Sequence, residues 1–336
     1  MINPPLLANI WFWFIGVLLI VYVVLDGFDL GAGILFLATR DEKRRTQIMG
    51  ALGYTWHVNQ TLLLATGGLL FGAFPVAYGV ALNALYIPVS LLLLGFIFRA
   101  VSFEFVSQAH NKTIWNLTFG GANLLAALAQ GFILGGVITG LKITGGVYTG
   151  SVWEWLTPFT LYISVGLACG YVLLGAAYLI IKTSGDMQAS CRKLALAFSL
   201  ISFLLAAGAI VWTWQMTPPL IEKWATRPFF WITSVPAIFA FLAFFGILTS
   251  LRSSSEIAPL ILAGLFFIFT FLSLAGSFYP YILPPGLTIE AAASPTITLR
   301  MMLFVVVPLM PIVILYNVYT YLVFRGKTGE AGYGEE

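Results

Sequence analysis

Residues 9–38 run without a single lysine or arginine and carry only two charged side chains, Asp26 and Asp29. Runs of this kind recur to the end of the chain, each of 18 or more predominantly apolar residues and so long enough to cross a bilayer core about 30 Å thick. Only 9% of the 336 residues are charged and 60% are hydrophobic, whereas a soluble domain is about 25% charged. Most of this surface cannot face water. The chain reads as an all-α polytopic membrane protein, because a transmembrane barrel would show short segments of alternating polarity instead.

Hydropathy predicts nine spans packed as one bundle domain over 1–336, at about 9–38, 48–73, 77–100, 114–141, 156–181, 194–216, 228–250, 257–282 and 300–324. "FPVAYG", "TPP" at 217–219 and "YPYILPPG" at 279–286 mark connections where proline and glycine interrupt the runs. Nine spans with the amino terminus outside put twelve of the sixteen basic residues on the cytoplasmic side and four outside (Lys142, Lys223, Arg227 and Arg300). That positive-inside asymmetry predicts a cytoplasmic carboxyl terminus and supports the odd number of spans. The opening "MINPPLLANIWFWF" has no basic n-region and an apolar run too long for a signal peptide, so it is expected to be retained. Several tryptophans (Trp11, Trp13, Trp153, Trp155, Trp224) fall where an interfacial aromatic belt is expected.

Several function classes drop out. There is no P-loop, no basic stripe of nucleic-acid character and no connection long enough to hide a soluble domain, which excludes ATP-driven transport by this chain alone and a nucleic-acid partner. Cys169 and Cys191 form neither a CxxC nor a disulfide framework. The two histidines, His57 and His110, cannot supply bis-His ligation of several hemes, so no heme ligand and no metal site is expected here. His110 lies in the connection "SQAHNKT", where solvation is expected.

Asp26 and Asp29 are the acidic residues with no place at a boundary. Each costs about 2.5–3.5 kcal/mol at a helix centre on the insertion scale. At i and i+3 they share a face, with Asp26 roughly 20–24 Å below a span entrance near Ile10–Trp13. A second span running inward from Arg45 puts His57 roughly 10–15 Å above the cytoplasmic boundary, and Arg99 with Glu104 ends the third. Five ionisable residues are therefore expected at one level. "TWHVNQT" adds Trp56, Asn59 and Gln60 to the same helix, a polar density that faces other helices or water rather than lipid. Gly27 and Gly31 give a GxxxG spacing suited to close helix packing. Three readings stay open from the residues alone: a structural pairing with Arg99, a proton or ion pathway, and a ligand site.

"LDGFDLGAGIL", "WHVNQTLLLATGGLLFGAFP", "FRAVSFEF", "FYPYILPP" and "VPLMPIVILY", in this order along the whole chain, resemble subunit II of cytochrome bd-type quinol oxidases, including the cyanide-insensitive branch. The resemblance implies a heme-free subunit in a bacterial cytoplasmic (inner) membrane. It would pair with a subunit I that carries two b hemes, one d heme and the quinol site. The complex would oxidise quinol and reduce oxygen to water, taking protons from the cytoplasm. Lipid, a structural quinone in some members and small single-helix accessory subunits are further partners the resemblance allows. Asp26 and Asp29 match the aspartates of its first-helix motif, and Trp56, Asn59 and Gln60 its W-x-x-N-Q pattern. Arg99 and Glu104 match the arginine and acid after the third helix. In the family an acid usually follows that tryptophan; here it is His57, an imidazole in place of a carboxylate. The proton path this implies runs through Asp26, Asp29, His57 and Glu104, with Arg99 as charge partner. The rival reading is a stand-alone proton- or cation-coupled secondary transporter.

Overall fold

The computed structural model describes residues 3–53, 55–106, 109, 112–323 and 326–328, so His110 lies outside the described residues. Helix α1 (Pro4–Ala38) is opened by Pro4 and Pro5, whose fixed φ and missing N–H suit a first helical turn. A short polar helix, α2 (Glu42–Leu52), is capped by the Asp41 carboxylate accepting from Lys43 N. Then follow α3 (Thr55–Ala73), α4 (Pro75–Ala84), α5 (Tyr86–Val106) and α6 (Lys112–Thr139). A two-residue hairpin pairs β1 (Ile143–Thr144) with β2 (Val147–Tyr148). Its turn, Gly145–Gly146, has φ of +59° and +77°, a conformation glycine reaches without strain. Helix α7 (Pro158–Lys182) starts with reciprocal capping between Thr157 and Thr160. It is followed by α8 (Gly185–Met216), α9 (Pro218–Ala225), α10 (Phe229–Arg252) and α11 (Ala258–Phe278). A second small hairpin, β3 (Tyr281–Leu283) with β4 (Leu287–Thr288), leads through α12 (Ile289–Ala292) into α13 (Thr296–Val323).

Eight of these helices are long and apolar enough to cross a membrane, and the α3–α4 pair, bent by 120°, makes a ninth crossing if it is counted as one. The all-α polytopic fold read from the hydropathy is borne out. Two span boundaries differ from the hydropathy. The expected helix 48–73 is divided: α2 ends at Leu52, Gly53 takes φ +49°, and α3 begins at Thr55. The expected helix 77–100 is also divided. Phe74, pushed out of the helical region by the proline after it, starts α4 on a new axis, and the crossing itself is α5, which runs on to Val106. Arg99 thereby lies within a helix rather than at its end, and Glu104 lies in its last turn.

Helix α7 is the central post, flanked by α1, α6, α8 and α11. It approaches α1 backbone to backbone: a Cβ on Gly31 would overlap the Tyr171 carbonyl, and one on Gly175 would overlap the Gly31–Ala32 peptide. A Cβ on Gly27 would sit 2.8 Å from the Tyr171 ring. Small residues at a crossing bring van der Waals surfaces together where lipid offers no hydrophobic drive. Trp11, expected in the interfacial belt, is instead fully buried, its Nε1–H donating to the Leu299 carbonyl at 3.1 Å. The indole ties α1 to α13 because its N–H finds a protein acceptor there.

One end of the bundle gathers the basic residues. Arg192 donates to the carbonyls of Ser253 and Ser255 beyond α10. Lys327 pairs with Glu256 at 2.7 Å, and Thr328 N donates to the Lys182 carbonyl. At the other end Lys142 meets Glu154 at 2.6 Å on the surface. Exposed pairs of this kind contribute about 0.2–1 kcal/mol, so Lys142→Met should leave the thermal midpoint of the protein nearly unchanged, a direct contrast with the buried pair described next.

Candidate functional site

The face of α1 that carries Tyr22, Asp26 and Asp29 turns into the bundle, where both aspartates are 0–2% exposed. Arg99 of α5 reaches Asp26 Oδ1 through Nη2 at 2.7 Å and is itself 2% exposed. The other carboxylate oxygen, Oδ2, accepts from the Tyr22 hydroxyl at 2.9 Å. That hydroxyl accepts from Gln130 Nε2 of α6 at 2.8 Å, and Gln130 Oε1 accepts from Tyr171 of α7. Asp26 thus sits inside a hydrogen-bonded chain, Arg99–Asp26–Tyr22–Gln130–Tyr171, that joins four helices, α5, α1, α6 and α7.

Asp29 is held differently. Asn59 of α3 donates from Nδ2 to Asp29 Oδ2 at 2.7 Å and to the Leu25 carbonyl at 3.3 Å, while Asn59 Oδ1 accepts from the Tyr321 hydroxyl of α13 at 2.8 Å. Those bonds orient the amide. Among the described residues the second Asp29 oxygen, Oδ1, is buried without a hydrogen-bond partner, as are Arg99 Nε and Nη1, Trp56 Nε1 and Asn123 Oδ1. A buried, unsatisfied polar atom costs about 1–3 kcal/mol. The guanidinium recovers part of this by lying 5.4 Å from the rings of Trp56 and Phe96.

His57 and Glu104 are not in that buried centre. Both line a cleft of about 580 Å³ with Val58, Tyr316, Tyr319, Thr320 and Val323, close enough for the Glu104 charge to act on the imidazole. One turn of α3 serves both places. Trp56 and Asn59 face the aspartates, while His57 and Val58 face the cleft. The Trp56 ring lies against His57 at a tilt of 31°, with ring centroids 3.5 Å apart, and also contacts the guanidinium. Gln60 follows on the same helix, its Nε2 buried without a hydrogen-bond partner among the described residues. The five ionisable residues expected at one level therefore divide into a buried trio (Asp26, Asp29 and Arg99) and a cleft pair (His57 and Glu104), with Trp56 in contact with both.

Sequence reasoning did not single out Tyr22, Gln130, Tyr171, Tyr321 or Asn123. Tyr22 could have been found, since i−4 from an aspartate puts it on the same face. Gln130 and Asn123 were visible only as lone amides in an apolar run. No three His, Cys, Asp or Glu side chains group as a metal site among the described residues, and both cysteines are free thiols.

Fold and site together define a multi-pass helical membrane protein organised around a buried carboxylate–guanidinium centre. The chain belongs to the family of cytochrome bd terminal oxidase subunit II, whose family model matches residues 7–324. The resemblance read from its motifs is borne out. It is 28% identical to the cytochrome bd-I ubiquinol oxidase subunit 2 of Escherichia coli K12, covering 97% of this chain and 96% of that one. It is 25% identical to the cytochrome bd ubiquinol oxidase subunit 2 of Bacillus subtilis 168, covering 96% of each. The bd oxidase of Geobacillus thermodenitrificans contains a chain of the same fold, with a TM-score of 0.77 at 17% identity over 94% of this chain and 98% of that one.

Proposed function

We propose that this chain is the heme-free subunit II of a terminal quinol oxidase in a bacterial cytoplasmic membrane, supporting a heme-bearing subunit I and carrying protons toward it from the cytoplasm. Near-full-length similarity to subunits of ubiquinol oxidases supports the assignment. The donor set supports placing the hemes on the partner: the chain has two histidines, and the one described, His57, lines a cleft beside Glu104. The hemes of the complex would take electrons from quinol and deliver them to oxygen. Basic residues gathered at the end that holds α2, the α10–α11 connection and residues 326–328 support a cytoplasmic location for that end.

The observation that carries the proton-path reading is the shared turn of α3. Within Trp56–Asn59 the helix borders a cleft containing an imidazole and a carboxylate on one side and a buried aspartate pair on the other. His57 and Glu104 would collect protons, and Asp29 with Asn59 and Tyr321 would hold them at the inner end. Asp29→Asn in the assembled complex is expected to lower quinol oxidase turnover and membrane-potential generation roughly tenfold or more, with the reduced-minus-oxidised heme spectrum unchanged. Unchanged turnover in both Asp29→Asn and Asp26→Asn would remove the path. The Arg99–Asp26 ion pair also favours a second reading, in which the aspartates only join helices. That reading predicts loss of assembly in place of loss of turnover. Purification without any heme-bearing partner from a native membrane that makes the chain well would instead favour a stand-alone transporter.

A further inference from the structure

Asp26 and Asp29 are buried alike on one face of α1, yet their surroundings differ in charge. Arg99, a permanent cation, pairs with Asp26 at 2.7 Å. Asp29 Oδ2 accepts from the neutral amide of Asn59, and Oδ1 has no hydrogen-bond partner among the described residues. One guanidinium neutralises one carboxylate, and a second negative charge in this interior is costly, so the pair retains one proton. The hydrogen bonds behind Asp26 select which carboxyl holds it.

Tyr22 has one hydroxyl proton and two neighbours that could receive it, Asp26 and Gln130. Gln130 turns its Nε2–H to the Tyr22 oxygen at 2.8 Å, which leaves the hydroxyl proton for Asp26 Oδ2 at 2.9 Å. Tyr171 holds the amide that way round by donating to Gln130 Oε1. Its own ring has no room to swing. It is fully buried, lies where a Cβ on Gly27 would come within 2.8 Å of it, and stacks on Phe267 of α11 at 6.0 Å with an interplanar angle of 11°. Every donor from Tyr171 to Tyr22 is therefore aimed toward Asp26. With the amide reversed, Tyr22 would donate to Gln130 Oε1, and Asp26 could keep its contact with Tyr22 only as a protonated acid.

We propose that Tyr22, oriented by Gln130 and Tyr171, is a positioning residue that holds Asp26 as the permanent anionic partner of Arg99, leaving Asp29 as the carboxyl that takes up and releases a proton. The part given to Asp29 in turnover rests on the proton-path reading above. The ionisable groups around the two carboxyls are Tyr22 on α1, Arg99 on α5, Tyr171 on α7 and Tyr321 on α13. Helices α3 and α6 present the neutral amides of Asn59 and Gln130, with His57 beyond Trp56 in the cleft.

The test is infrared spectroscopy of the assembled oxidase with carbon-13-labelled aspartate, which identifies the C=O bands of protonated aspartates. Expected in the unsubstituted complex is one band that disappears in Asp29→Asn and shifts in frequency in Asn59→Leu, which removes the donor to Asp29. Tyr22→Phe deletes one oxygen and leaves the ring and the ion pair. It should move the proton roughly tenfold or more toward Asp26, seen as a second band that Asn59→Leu does not shift. Tyr171→Phe should add the same band, because Gln130 is then free to turn its oxygen on Tyr22. A merely structural role for Tyr171 would not affect a carboxyl three hydrogen bonds away. A band that ignores Asn59→Leu in the unsubstituted complex, no band lost in Asp29→Asn, or no second band in Tyr22→Phe overturns the proposal. A second band in Tyr22→Phe but not in Tyr171→Phe overturns the part given to Gln130 and Tyr171. The Asn59→Leu comparison locates the proton even if a tyrosine variant does not assemble. These spectra require no turnover, so the two readings fail separately. Bands as expected with unchanged turnover in Asp29→Asn keep the charge assignment and remove the path, whereas lost turnover with a band that ignores Asn59→Leu does the reverse.

Discussion

Gly31→Ala is expected to prevent stable assembly of the complex. The methyl group would occupy the position of the Tyr171 carbonyl on α7, and neither a rotamer change nor a flexible neighbour can make room for it. Overpacking a core costs about 1–3 kcal/mol and occasionally more; an obstacle made of backbone puts this substitution at the upper end. Moving α1 away from α7 would also pull Asp26 from Arg99 and Tyr22, because the crossing lies just beyond Asp29 on the same helix. Gly121→Ala on α6 is the control, since a Cβ there meets nothing within 4 Å. The measurement is the fraction of complex surviving a temperature ramp, read by gel filtration. Equal survival of the two variants would refute the backbone-contact account.

Arg99→Met is expected to be the most damaging single change at the buried centre. It leaves the Asp26 carboxylate in a low-dielectric interior with only the Tyr22 hydroxyl, and removing one partner of a buried pair costs about 3–5 kcal/mol. Asp26→Asn combined with Arg99→Met removes both charges, and the double variant should recover most of the stability lost in the single one. Adding Asp29→Asn to that double variant then separates the two readings of the site. If the aspartates only join helices, the activity that returned with stability is kept. If Asp29 carries protons, the triple variant assembles with its heme spectrum intact while turnover stays roughly tenfold or more below the unsubstituted protein. An Arg99→Met complex as stable as the original would show that the ion pair holds nothing together.

The residues that hydropathy made conspicuous are those whose cost is local. Two aspartates in an apolar run are anomalous wherever the helix sits, and the i, i+3 spacing puts them on one face without any knowledge of the neighbours. The remainder of the site depends on contacts across the bundle. Gln130 meets Tyr22 over 108 residues and Tyr321 meets Asn59 over 262, so neither could be separated from the many tyrosines and amides that serve only packing. The level of His57 was legible but its direction was not. A continuous helix from 48 to 73 hides the break between α2 and α3, because Gly53 alters the chain path without altering the hydropathy. The bend before α4 had its proline in plain view, yet the apolar run continues past Phe74–Pro75, and turn residues alone do not say by how much an axis swings.

The joint at Gly53 has a consequence for how this segment can vary. Because α3 restarts there, the connection between Leu52 and Thr55 sets the rotation of the helix about its axis. Each residue added or removed would turn everything after it by about 100°, enough to carry the imidazole off the cleft and the indole off the guanidinium. Side-chain changes along α3 can be absorbed one at a time. A change of length at its start rotates every side chain of Trp56–Asn59 out of place at once, so this short joint should tolerate substitution far better than insertion or deletion.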